Sequence, residues 1–345
     1  MLYRRANVSL ADTPLASTLT HARKQLDTYR MLLVLTHRTL EETDDSAEKA
    51  LARVEAVPES EREDEVRNLV HDQVKAILAG LSADLKGRPV NSAVDFRVAV
   101  RTSSIPGARN GIFLEQGACR AGQVLLFYPG VVIRPHHIAR VPGFPRVLDP
   151  YNMLTITHDG AMINPYNVSA PGAPADSLIV PGSDGELVAQ RIGSPQDVCN
   201  RLALAHLVNH SGAARIPNVA SVDYAFPANV PEALAPLVPN LMWEPPKTGG
   251  GSQRGEARGL ARRFVDKTNA LADAYADKTI VTACEGEAAV PSQVLVSLAP
   301  IATGDEVLLD YRFNPAMRDR WPEWYEPHDE EAARRRWSGN SIRGS

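Results

Sequence analysis

The sequence predicts a mixed α+β fold in which helices come first and a mostly-β region follows. Before residue 92, two segments repeat apolar residues at three- and four-residue steps, the period of an amphipathic helix. After it the texture changes to short β-branched segments broken by Gly, Pro and Asn, the mark of strands and turns. At 345 residues and 44% apolar, the chain can bury a full core across roughly two folded units.

The first helix is carried by Leu15, Leu19, Ala22, Leu26, Tyr29, Leu33 and Leu40, and the second by Val66, Leu69, Val70, Val74, Ile77, Leu78, Leu81 and Leu85. Pro58 followed by Ser60 and Glu63 reads as a capping box opening the second helix, and Gly87 to Pro89 as its end. The resulting helical hairpin either packs on the rest of the chain or binds a partner protein. Strands are expected at 94–100, 123–133, 151–156 and 293–299. A Pro/Gly-rich stretch at 169–186 reads as a loop inside an insertion of about 166–198, and 244–279 as a second insertion, flexible and then helical. This divides the chain into a helical region at 1–91, a strand-rich domain at 92–314 and a charged tail at 315–345. The tail carries Trp321, Trp324, Tyr325 and Trp337, more aromatic surface than a free tail needs, so those rings should be covered.

Charge and cysteine usage exclude several classes. A net charge of −4 with acids and bases intermixed gives no global attraction to nucleic acid or anionic membrane. A nucleic-acid role would rest only on the basic residues at 254–267. No stretch approaches the roughly 18 apolar residues that span a bilayer, and the N-terminus lacks a secretory layout. The expected location is therefore intracellular, nucleus or cytoplasm, although residues 1–11, with two arginines and no acid, faintly resemble an organellar transit segment. Cys119, Cys199 and Cys284 are far apart without CxxC spacing, which predicts neither a disulfide framework nor a metal site.

Four separated pieces carry the chemistry: IPGARNGIF at 105–113, FYPG at 127–130, NRLALAHLVNHSGAARIPN at 200–218 and ATGDEVLLDYRF at 302–313. Singly, each has a bland reading. The glycine turn can be a tight loop, the Asp-Tyr a core tyrosine with a satisfied hydroxyl, and His206 a core histidine. The Asn-His pair that ends the apolar run at 202–208 is the least ordinary, because a core edge usually closes in generic turn residues.

In this order the four pieces resemble the SET-domain family of protein lysine methyltransferases, over about residues 94–314. GARNG stands for the family's glycine turn, YPG for its Tyr-x-Gly, NHS with PN for its Asn-His-Ser and Pro-Asn, and GDEVLLDY for its final Gly-Glu-Glu-Leu-x-x-Asp-Tyr. LVPNLMW at 237–243, with no cysteine cluster, looks most like the SET domain-containing protein 9 subgroup. The resemblance implies a mostly-β SET fold with a knot-like C-terminal segment, S-adenosylmethionine as cofactor and a protein lysine, histone or non-histone, as substrate.

It also implies roles. Gly107, Ala108, Arg109, Asn110 and Gly111 would run their backbone along the cofactor, Asn209 would bond its methionine end, and His210, largely through its backbone, its adenine edge. Tyr151 matches a cofactor-contacting tyrosine, and Trp321 or Trp324 would stack over the adenine in place of a zinc-bound lid. Tyr311 matches the catalytic tyrosine and Tyr128 a channel wall, with Tyr224 a further wall. Leu309 stands where the family often has Phe or Tyr, which implies room for higher methylation states. Three residues are added between NHS and PN, and Gly212 replaces a usual Cys, so a catalytically weak SET-like interaction protein is the alternative.

Overall fold

Helices α1 (Pro14–Arg38), α2 (Ser46–Ala56) and α3 (Arg62–Leu85) open the computed structural model, which describes residues 14–40, 46–85, 94–140, 154–157, 159–165, 179–181, 187–189, 200–227, 229–231, 234–242 and 289–338. α1 contains neither Gly nor Pro after its first residue, and it buries Met31, Leu32 and Leu35. α3 starts with Glu63, Asp64 and Glu65 in its first turn, where acids suit the positive end of the helix dipole. The expected capping box is replaced by a 3-10 turn. Glu61 N donates to Pro58 O at 2.9 Å, the turn Glu59–Glu61 runs straight into α3, and Ser60 lies inside it instead of ahead of it. The expected hairpin is in fact three helices. α2 buries Ser46, Ala50 and Val54, a stripe at four-residue spacing whose side chains are too small to signal a core face strongly.

The strand-rich region contains β1 (Phe96–Thr102), β2 (Asn110–Gly117), β3 (Val124–Phe127), β4 (Gly130–Ile133), β5 (Thr155–Ile156), β6 (Met162–Asn164), β7 (Ile179–Pro181), β8 (Leu187–Ala189), β9 (Asn209–His210), β10 (Val219–Phe226), β11 (Asn240–Met242), β12 (Val290–Ser297) and β13 (Glu306–Leu309). A seven-stranded sheet runs β1-β2-β13-β10-β12-β3 with β9 beside β13, and a second sheet runs β11-β4-β6-β5. The last strand thus enters the middle of the first sheet. β13 pairs antiparallel with β2 and parallel with β9 and β10, so segments from both ends of the domain meet along it. The 123–133 strand expected as one piece divides at Tyr128 and Pro129, and of the one expected at 151–156 the described part is β5. Most of both insertions, including the basic residues at 254–267, lies outside the described residues, as do Tyr151, Cys199, Cys284 and residues 1–11. No described helix is long and apolar enough to cross a membrane.

The helices are part of this core. Leu32, Leu35, Val70, Val74 and Ile77 share one apolar cluster with Phe96, Val124, Leu125 and Phe226. Polar groups fix the docking angle. Gln73 on α3 donates Nε2 to Gly122 O and accepts Val124 N at Oε1, both at 2.9 Å, so one side chain completes the edge of β3. Truncating it leaves two backbone groups unpaired beside the core. Gln73→Ala is expected to lower the unfolding free energy by about 2 kcal/mol, read from the urea midpoint at unchanged m.

Candidate functional site

Strand β13 begins with a carboxylate in an otherwise apolar segment, and that carboxylate organises the site. Glu306 is buried. Ser103 Oγ donates to its Oε1 at 2.6 Å, Ser104 N donates to Oε2 at 2.9 Å, and Ser104 Oγ also donates to Oε2. Asn209 Nδ2 adds a further donor to Oε1 at 3.2 Å and reaches Asn110 O at 2.9 Å. Burial by itself raises the carboxyl, but the hydrogen bonds from Ser103, Ser104 and Asn209 outweigh it and hold Glu306 below the usual carboxylate range. Arg215 Nη1, in the insertion between NHS and PN, stands 4.0 Å from Oε2 and its Nη2 donates to Ser104 O at 3.1 Å.

One carboxylate therefore ties the 103–111 loop, the Asn-His turn and β13 together. The loop turns where Ala108 N donates to Ile105 O at 3.1 Å, with Gly107 at φ +82°, and closes where Ser103 N donates to Arg109 O at 3.2 Å. Gly111 then passes so close that a Cβ there would lie 2.2 Å from Glu306 Oε1 and 2.9 Å from Asn209 Nδ2. Gly107, Arg109 and Asn110 remain exposed along the outer edge. Asn218, from the Pro-Asn piece, behaves as a strand residue with a forked end. Its Nδ2 donates to Glu306 O at 2.9 Å and its Oδ1 accepts Leu308 N at 2.8 Å, which locks the β13 backbone.

Beyond β13 the chain lays an aromatic cluster over His210. The imidazole Nε2 donates to Glu326 O at 2.7 Å, and Nδ1 lies against Leu309 O at 3.2 Å and Tyr311 N at 3.3 Å. Tyr325 stacks on the imidazole at 4.5 Å and on Phe313 at 4.4 Å. The Tyr311 hydroxyl donates to Val208 O at 2.9 Å, and burial pushes its phenol up to about 12. Trp321 has its N–H on Asn314 O at 3.0 Å and its ring against Arg318 and Tyr325. Trp324 keeps 51% of its surface exposed and meets Tyr311 edge-on at 6.0 Å. Of the tail rings expected to be covered, Tyr325 is buried and Trp321 and Trp337 are half-buried, whereas Trp324 is exposed.

Of the other expected residues, Tyr128 is buried with its ring 6.4 Å from His206, three residues before Asn209, and its carbonyl accepts Asn240 Nδ2 at 2.9 Å. His206 is a core histidine. Burial pushes it down to about 3, and its Nδ1 has no hydrogen-bond partner among the described residues. Leu309 is half-buried, and its carbonyl accepts Ser211 N at 3.0 Å. Tyr224 is not brought to this cluster. It lies roughly 17 Å along β10 from Val219, the partner of Leu309. Its hydroxyl pairs with His71 Nδ1 of α3 at 2.9 Å. Sequence reasoning missed Ser103, Ser104 and Arg215, quoted Glu306 only inside GDEVLLDY, and named Tyr325 only as a tail ring to be covered. The one available signal was an acid opening the strand Glu-Val-Leu-Leu. Among the described residues no group of His, Cys, Asp and Glu could hold a metal ion. No family model, curated protein or solved structure matches this chain.

The Glu306 carboxyl sits below its unfolded value, so its contribution to stability is complete above the unfolded pKa and fades as pH falls through the folded one. Glu306→Gln is expected to destabilise the fold by about 2 kcal/mol at neutral pH. The gap to wild type should narrow below about pH 4, measured by urea unfolding across a pH series.

Proposed function

We propose that the protein is an S-adenosylmethionine-dependent protein-lysine N-methyltransferase of the SET type, closest to the SET domain-containing protein 9 subgroup. The observation that carries this reading is the convergence on β13. The glycine loop, the Asn-His turn and the Asp-Tyr end, distant in sequence, meet around Glu306 and Tyr311. The C-terminal strand threaded between β2 and β9 is in keeping with the knot-like segment of that fold.

The residues present fit the cofactor. Asn209 spends its two amide protons on Asn110 O and Glu306, which leaves Oδ1 as an acceptor for an ammonium group at the methionine end. The exposed residues Gly107, Arg109 and Asn110 give a polar edge, and Trp324 offers an exposed aromatic face beside Tyr311 for a purine ring. When bound, S-adenosylmethionine supplies an electrophilic methyl group on sulfonium sulfur. His210 holds the turn from beneath, since both of its ring nitrogens are engaged inside the protein.

Methyl transfer to an amine is an in-line displacement, so alignment is the main task of the protein and can remove about 7 kcal/mol of the barrier. Tyr311 is built for alignment. Its proton is committed to Val208 O, so its oxygen presents lone pairs to an incoming amine, and a phenol at about 12 stays neutral at physiological pH. An apolar surround favours the neutral, nucleophilic form of the substrate lysine, because desolvation lowers an ammonium pKa. Buried Tyr128 and half-buried Leu309 are the side chains proposed for that channel. Leucine at 309 has no hydroxyl to hold a crowding water, so the site admits more than one methyl group.

A second reading, a SET-like interaction module with little catalysis, draws on one observation: the Tyr224 hydroxyl is paired with His71 of the helical region. Labelled methyl transfer from S-adenosylmethionine to a histone panel and to cell extract separates the two. Under the first reading wild type labels a protein band. Tyr311→Phe then loses about 100-fold in turnover with cofactor affinity nearly unchanged, while Asn209→Ala loses affinity. Cofactor binding without any transfer supports the second. Among active variants, Leu309→Tyr is expected to shift the product toward monomethyl-lysine, read by mass spectrometry of the labelled peptide.

A further inference from the structure

Tyr311 is followed by the one described non-glycine residue with a positive φ, Arg312 at 55°. A side chain with a Cβ adopts that conformation only when its surroundings impose it, and such residues cluster where a neighbour has to be aimed. Three parts of the chain impose it here. Asp310 Oδ1 accepts Arg312 N at 2.9 Å, the Trp337 indole of helix α4 (Glu330–Ser338) donates to Arg312 O at 3.3 Å, and Arg312 Nη1 donates to Asp27 Oδ1 of α1 at 3.2 Å. Asp27 lies 285 positions away in sequence, and both side chains of the pair are largely shielded, at 28% and 17% exposure, so solvent screens it less than a surface pair. On the other side of Arg312, Phe313 N donates to the Tyr325 hydroxyl at 3.1 Å.

We infer that Arg312 is a positioning residue for Tyr311, and that Asp27 on helix α1 supplies the counter-charge that holds it in place. The helical region is then part of the reaction machinery and more than a packing partner. Arg312 touches no reacting atom; it fixes the backbone from which the Tyr311 ring departs, and so the direction of the phenol oxygen. This rests on the methyltransferase reading for its activity assay and on geometry alone for its second readout.

The test uses full-length wild type, Asp27→Asn, Arg312→Gly and the reversed pair Asp27→Arg with Arg312→Asp. Glycine adopts the positive φ freely but cannot reach Asp27, so it separates the backbone conformation from the ion pair. Turnover is expected to fall about tenfold in Asp27→Asn and in Arg312→Gly, with the S-adenosylmethionine dissociation constant within about twofold of wild type, and to be regained in large part by the reversed pair. Wild-type turnover in both single variants, or a loss that the reversed pair does not regain, overturns the inference. If wild type transfers no methyl group, the methyltransferase reading fails and the inference is decided by NMR of ¹³C-labelled tyrosine, with Tyr311 assigned through Tyr311→Phe. Its ring signal should move in Asp27→Asn and return in the reversed pair; a signal that stays in place contradicts the role given to Arg312.

Discussion

A carboxylate that enters a core must be repaid by donors, and Glu306 recruits its donors from segments far apart in sequence. Ser103 and Ser104 come from the loop before β2, and Asn209 from the turn after the apolar run. Burial of the charge makes each of these bonds strong and the absence of any one costly. The strand pairing brings the donors within reach, since Glu306 stands opposite Phe113 of β2 while Leu308 stands opposite Asn209. The glycine at 111 follows from the same junction, because any larger residue would occupy the space of the carboxylate.

From this junction the rest of the site is laid out by short steps along the chain. β13 leads to Asp310 and Tyr311, whose hydroxyl returns to Val208 and so ties the end of the strand to the run before the Asn-His pair. His210 is the second fixed point. With Nδ1 against Leu309 O and Tyr311 N and Nε2 on Glu326 O, it couples the strand end to the tail. The helical region braces the opposite edge through Gln73 and reaches the site through the Asp27 pair. Rigid support at both ends suits the proposed methyl transfer, whose main demand is alignment.

The periodicity of α1 and α3 was legible because Leu and Val at three- and four-residue steps leave a wide apolar face. α2 was not, because its buried stripe is Ser46, Ala50 and Val54, small residues that pack closely without a strong pattern. The Asn-His and Asp-Tyr pieces were joined only by the resemblance to the SET-domain family, since an Asp-Tyr that ends a strand is ordinary by itself. Glu306 could not be singled out, since an acid at a strand start is ordinary and its serine partners stand 203 and 202 positions away. Tyr224 sits on an alternating strand and could have faced either way. What decides its direction is His71, on a helix that the local pattern around Tyr224 does not mention.

Under the proposed function, the 103–111 loop, the Asn209–His210 turn and the Tyr311–Glu326 segment form one binding surface for S-adenosylmethionine. Hydrogen exchange followed by mass spectrometry, with and without saturating cofactor, tests it most directly. The account predicts slower exchange in peptides covering these three segments together and little change in α1 to α3. Protection confined to other parts of the chain, or no protection at any cofactor concentration, would contradict it.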